Sequence, residues 1–169
     1  RYSKSNTYSL GYKLLFLGNQ ARNQLTLVNK VRPLLEKLTK KTKLTSNLVI
    51  EDEMQALYIE RVNSQGMSTI TNIIGKKAPL HATGVGKCFL AWRSIEEVIK
   101  IIDKTGMVKL APNTITNLND LLLELRKVRE KGYALDLEEC EEGIRCISSP
   151  ILIENKVIAA ISITGSSIV

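Results

Sequence analysis

Aromatic residues are scarce in this sequence, 5% of 169, and cysteine, histidine and proline are rarer still at three, one and four. Few aromatics beside 44% apolar residues describe an ordinary aliphatic core. Three cysteines, Cys88, Cys140 and Cys146, cannot pair off, which argues against a disulfide framework and fits a reducing compartment. No apolar run approaches the roughly 18 residues that would cross a bilayer. No charged, apolar and cleavable leader opens the chain, so a cytoplasmic location is the default expectation. With four prolines and ten glycines there is no low-complexity segment, and no internal repeat is visible.

Acidic residues are missing from one end. Residues 1–43 carry ten Lys/Arg against the single acid Glu36, while the remainder carries fourteen against sixteen. A basic front on a near-neutral body fits either a solvated helix face or a segment close to nucleic acid. The chain opens on Arg1 and a polar, aperiodic stretch, so we expect it to be cut from a longer protein. At this length one domain is expected, large enough to bury a core without staples.

What is present reads as helices, strands, helices, strands. Apolar residues spaced three and four apart predict helices over Leu10–Arg22 and from Leu25 to Leu38, with a kink or break at Pro33, which lacks an N–H. The runs 48–50, 56–62 and 69–74 predict an antiparallel meander, turned first at Glu51-Asp52-Glu53. A short helix is expected over Val85–Trp92, and one behind the capping box Ser94-Ile95-Glu96-Glu97. Another begins at Asn117 and stops at Gly132. Strands follow at 133–135 and 146–153, then a turn at Glu154-Asn155-Lys156 and a hairpin partner at 157–164. The expected class is α+β with a mainly antiparallel sheet, in its simplest form one helical layer on one sheet.

Chemistry concentrates in Pro79-Leu80-His81-Ala82-Thr83-Gly84-Val85-Gly86-Lys87-Cys88. A phosphate-binding P-loop would need Gly at 81 and Ser or Thr at 88, and the residues there are His and Cys. What survives is a glycine loop at a helix N-terminus, whose free N–H groups could meet an anionic or carbonyl ligand, or simply a tight turn. His81 beside Pro and Leu is expected to be a packed histidine satisfied by backbone. Cys140 and Cys146 match no zinc spacing, and their acidic neighbours raise rather than lower a thiol pKa, so no metal and no cofactor is expected. The acidic run 136–143 is usually a solvated loop, but Asp136 follows a strand and could face a cleft. Ser162 and Thr164 share one strand face, either exposed or as polar anchors in a pocket.

Six ordered stretches then acquire a common meaning: Tyr8-Ser9-Leu10-Gly11, 79–88, Pro112–Thr116, Gly132–Glu139, Gly143–Ile151 and Ala159–Gly165. Together they resemble the blocks of the effector-binding domain of IclR-type bacterial transcriptional regulators, over almost the whole chain. The resemblance implies a GAF-like (profilin-like) mainly antiparallel sheet flanked by helices. It implies a remnant of the linker or of the end of a winged helix-turn-helix domain over 1–9 and the effector-binding domain over 10–169. It also implies a C-terminal helix beyond Gly165 that this sequence does not contain.

The function implied is a sensor that binds a small organic effector, an organic acid among the candidates, and modulates DNA binding by the absent N-terminal domain. It works without catalysis or a membrane, as a homodimer or homotetramer. The effector positions implied are Gly84, Val85, Asp136, Cys146, Ser162 and Thr164. Thr164 stands where Ser is frequent and Val85 where Ala is frequent, so effector identity does not transfer. Two other classes remain open, a GAF-like thiol-dependent enzyme and a dimerisation module without a ligand.

Overall fold

A computed structural model describes residues 10–64 and 74–167. Five helices, α1 (Tyr12–Asn23), α2 (Thr26–Thr42), α3 (Gly84–Ala91), α4 (Ile95–Thr105) and α5 (Leu118–Lys131), accompany six strands. These are β1 (Thr45–Asp52), β2 (Gln55–Val62), β3 (Lys77–Pro79), β4 (Ala134–Leu137), β5 (Ile144–Ile153) and β6 (Lys156–Ser166). They form one sheet in the order β3-β2-β1-β6-β5-β4, every neighbour antiparallel. The first and last long strands meet at its centre.

Local chemistry explains the boundaries. Two-residue hairpins turn at Glu53-Met54 and Glu154-Asn155, all four residues with positive φ, matching the strand twist as a type I′ turn does. The Ser94 hydroxyl accepts the Glu97 N–H while the Glu97 carboxylate accepts the Ser94 N–H, the predicted capping box. Asn117 caps α5 by accepting the N–H groups of Asn119 and Asp120. α2 passes through Pro33 unbroken, held on both sides by buried Val31 and Leu35. The strand expected over 69–74 lies outside the described residues except for Ile74, which is in a turn, as do Tyr8 and Ser9.

The expectation of a single helical layer is corrected. α3, α4 and α5 pack on one face around Val49, Val85, Leu90, Ile101, Leu121 and Ala160. α2 covers the other face, where Val28, Val31 and Leu35 meet Leu48, Ile59 and Ala159. Strand runs such as Leu48-Val49-Ile50 lack apolar/polar alternation because both faces are covered. On the α2 side the Leu35 carbonyl accepts from Ser46 Oγ at 3.0 Å, and the hydroxyls of Ser46 and Thr39 meet at 2.6 Å.

Part of the basic front is structural. The fully buried Glu60 carboxylate on β2 pairs with Arg22 of α1 at 2.5 Å and with Arg32 of α2 at 3.2 Å. Those guanidiniums hold its pKa below the usual carboxylate range against the burial that pushes the other way. Leu14, Leu15 and Phe16 of α1 remain exposed. Among the described residues no helix is long and apolar enough to cross a membrane.

Candidate functional site

Antiparallel register lines up the polar residues of the inner sheet face in two rows. Asp136 (β4) pairs with Cys146 (β5), Cys146 with Thr164 (β6), and Thr164 with Thr45 (β1). One step along, Ser148 pairs with Ser162 and Ser162 with Asn47. Residues two apart on a strand share a face, so both rows point toward α3. All but Cys146 are buried, and Cys146 is partly so. Ser162 and Thr164 are therefore not solvent-exposed hydroxyls but part of a polar cluster inside an aliphatic shell. The bonds from Asn47 Nδ2 to Ser162 Oγ (3.1 Å) and Thr164 Oγ1 (3.3 Å) tie the side chains of β1 and β6 together, and Cys146 Sγ of β5 lies 3.2 Å from Thr164 Oγ1.

Against this face stands the N-terminus of α3. Thr83 caps it, its hydroxyl donating to the Pro79 carbonyl and accepting the Gly86 N–H at 3.0 Å. The next backbone bond, Lys87 N–H to the Thr83 carbonyl, begins the helical ladder, so the Gly84 and Val85 N–H groups have no acceptor within the helix. Gly84 has no room for a side chain: a Cβ there would stand 2.6 Å from Ser148 Oγ and 3.6 Å from Asp136 Cβ. The helix end and the polar rows are thus about one side chain apart.

Asp136 is the acid of the cluster. It lies within β4 rather than after a strand, and its Oδ1 accepts the Glu139 N–H at 2.9 Å and the Cys140 N–H at 3.4 Å. Burial pushes its pKa up to about 6, against the lowering effect of the Glu139 N–H. Between about pH 4 and 6 the native state therefore holds a proton that the unfolded chain, at an ordinary value of 3.8, has lost. Stability should fall as pH rises from about 4 through 6, by on the order of 2 kcal/mol relative to Asp136→Asn. Urea unfolding of both proteins between pH 4 and 7 checks this; parallel curves would count against it.

The acidic run 136–143 is not simply a solvated loop. Glu138 turns outward to Arg145 and the Gly143 N–H, but Glu139 turns inward and meets the fully buried Lys87 of α3 at 2.6 Å, with Glu124 of α5 at 3.6 Å from the same ammonium. Lys87 is thus an internal tie between α3, α5 and the β4–β5 loop. His81 is buried with Nε2 3.1 Å from the Val108 carbonyl, its pKa lowered by burial, in agreement with a packed histidine.

Three residues that sequence reasoning left out share the site. Asn47 and Ser148 complete the second row, and Tyr58 of β2 is buried close enough to Cys146, Cys140 and Asp136 that these, after burial itself, push its phenol well above the usual range. Tyr58 also lines a cavity of about 550 Å³ between α1 and β2 with Leu14, Leu15, Leu25 and Ile59. Asn47 and Ser148 both lie in strands whose sequences do not alternate in polarity, and only the register across three strands shows that they meet Ser162.

Residues 19–169 match the model of the bacterial transcriptional regulator IclR C-terminal family. The chain belongs to the IclR family. It is 36% identical over 166 residues to the HTH-type transcriptional regulator KdgR of Dickeya chrysanthemi, covering 98% of this chain and 54% of that protein. The chain thus spans about half the length of that curated relative. The crystal structure of the Thermotoga maritima IclR superposes with a TM-score of 0.87 at 32% identity, covering 98% of this chain and 67% of that one. An Acinetobacter PobR inducer-binding domain, a double mutant in complex with 3-hydroxybenzoic acid, superposes at 0.76 with 30% identity, covering 82% of each chain. The α+β fold with its antiparallel sheet is that of IclR C-terminal domains, and the chain matches the C-terminal domain of a bacterial transcriptional regulator.

Proposed function

We propose that the chain binds a small organic acid at Gly84, Val85, Asp136, Cys146, Ser162 and Thr164, and that binding modulates DNA recognition by another domain of the parent protein. The observation that carries this reading is the capped N-terminus of α3, with two N–H groups unused, held against a buried polar row that includes one carboxyl of raised pKa. Neutral donors and a single acid in an apolar shell orient a small polar molecule without activating it. Since no Lys or Arg belongs to the set, the N–H groups and the helix dipole take the charge of a carboxylate. A PobR domain of this fold holding a hydroxybenzoic acid supports the ligand class.

The domain acts as a sensor rather than an enzyme. Burial pushes the thiols of Cys88 and Cys146 up to about 12 and that of Cys140 up to about 11, so no thiolate is available at neutral pH. The one histidine is occupied by the Val108 carbonyl. In a homodimeric or homotetrameric, cytoplasmic parent protein, the effector shifts the balance between two domain arrangements by its differential affinity for them.

Thermal-shift screening of small organic and sugar acids tests the reading. An effector at 100 times its Kd should add about 2.7 kcal/mol of stability. Asp136→Ala and Ser162→Ala should each weaken its binding by about tenfold or more. Equal affinity in both variants would move the site elsewhere, and no shift with any acid would leave a dimerisation module without a ligand.

A further inference from the structure

Two polar atoms inside the cluster have no partner. Asn47 is fully buried and spends its amide N–H groups on Ser162 Oγ and Thr164 Oγ1, while its Oδ1 accepts nothing. Ser148, 1% exposed, has no partner for its Oγ, which would stand 2.6 Å from a Cβ placed on Gly84. Apolar groups of similar shape would fill both places without the desolvation penalty that an unpaired buried polar atom carries. We infer that Asn47 and Ser148 read the effector, and that the effector carries a hydroxyl group remote from its acid group.

The assignment rests on the proposed site and follows from donor and acceptor accounting. A carboxylate only accepts. It is served by the Gly84 and Val85 N–H groups and by the Ser148 hydroxyl beside them, and it has nothing to offer an amide oxygen. Asn47 Oδ1 needs a donor. Ser148 and Asn47 occupy the same row two strands apart, on either side of Ser162, which places their backbones about 10 Å from each other. A molecule with an acid at one end and a hydroxyl at the other bridges that interval and satisfies both orphans; a bare carboxylate satisfies one. The occupant is thus a hydroxy acid, discriminated from the corresponding plain acid by the penalty of leaving Asn47 Oδ1 unpaired.

Calorimetric titration of the full chain with matched pairs, 3-hydroxybenzoate against benzoate and 3-hydroxybutyrate against butyrate, provides the test. Wild type should bind at least one hydroxylated member about tenfold or more tighter than its partner. Asn47→Ala should bring that ratio to within about twofold of one. Asn47→Ser, which keeps a hydroxyl toward Ser162 and Thr164, replaces it if the alanine variant does not fold. Ser148→Ala should weaken both members of the pair, yet its ligand-free Tm should not fall, because no bond is lost; a merely structural serine would lower it. A wild-type ratio near one, or a ratio surviving in the Asn47 variants, overturns the inference even where binding depends on Asp136, and leaves the site standing. Binding by neither member of either pair overturns the inference, and the organic-acid site falls with it only when no acid in the thermal-shift screen binds.

Discussion

Gly86→Ala is expected to destabilise the domain by about 3 kcal/mol, the upper part of the range for overpacked interiors. A Cβ at this position would stand 2.2 Å from the Leu80 carbonyl oxygen, 2.4 Å from its Cα and 2.6 Å from its carbonyl carbon. All three are backbone atoms, so no rotamer change relieves the overlap. Either α3 moves off the 79–83 turn or the turn opens, and both break the Thr83 cap that accepts the Gly86 N–H. The ordinary gain from replacing a helical glycine with alanine, about 1 kcal/mol, is far too small to compensate. Denaturant unfolding reads the stability, and a loss below about 1 kcal/mol would show that the turn yields easily. Because α3 carries the Gly84 and Val85 N–H groups, the variant should also lose whatever effector binding the wild type has.

Glu139→Ala is the second large effect, about 3 kcal/mol or more. Lys87 is buried to 0% exposure and its ammonium is 2.6 Å from Glu139 Oε1, so removing that carboxylate leaves an interior charge without its main partner. Glu124, at 3.6 Å and on the more open side, recovers part of the loss. The bonds that the backbone of residue 139 makes survive the substitution. The Glu139 carbonyl accepts from Thr114 Oγ1 at 2.6 Å and its N–H bonds Asp136 Oδ1, so the same residue links α3, the 111–114 turn and the acid of the site. The sign of the interaction can be isolated, because replacing both charges, as Lys87→Met with Glu139→Leu, should return stability to within about 1 kcal/mol of wild type. A double variant no better than Glu139→Ala would mean that the carboxylate matters for packing and not for the lysine.

How much of this was legible in the sequence depends on the range of the interaction. Caps and hairpins were readable because their causes lie within four residues: Ser94 with Glu97, Asn117 with Asp120, Glu154-Asn155 between two apolar runs. The second helical layer was not, since a run of only three apolar residues, Leu48-Val49-Ile50, is too short to tell a strand covered on both faces from one covered on a single face. Lys87 showed the limit most clearly. In sequence it belonged to a Gly-Lys pair that failed as a phosphate loop, and its partner lies 52 residues away on a loop whose composition looked solvated. Asn47 and Ser162 are 115 residues apart and meet only through the central strand pair.

That central pairing also sets when the domain can work. β1 ends by Asp52 and β6 begins at Lys156, so Asn47 and Thr164 become neighbours only after nearly the entire domain has left the ribosome. Folding must close a loop of more than a hundred residues before the middle of the sheet exists, a high-contact-order step that slows acquisition of the native state. A nascent or C-terminally clipped chain lacking β6 would keep the α3 loop but not the opposite wall of the proposed site, so under that proposal completeness of the polypeptide is a precondition for sensing.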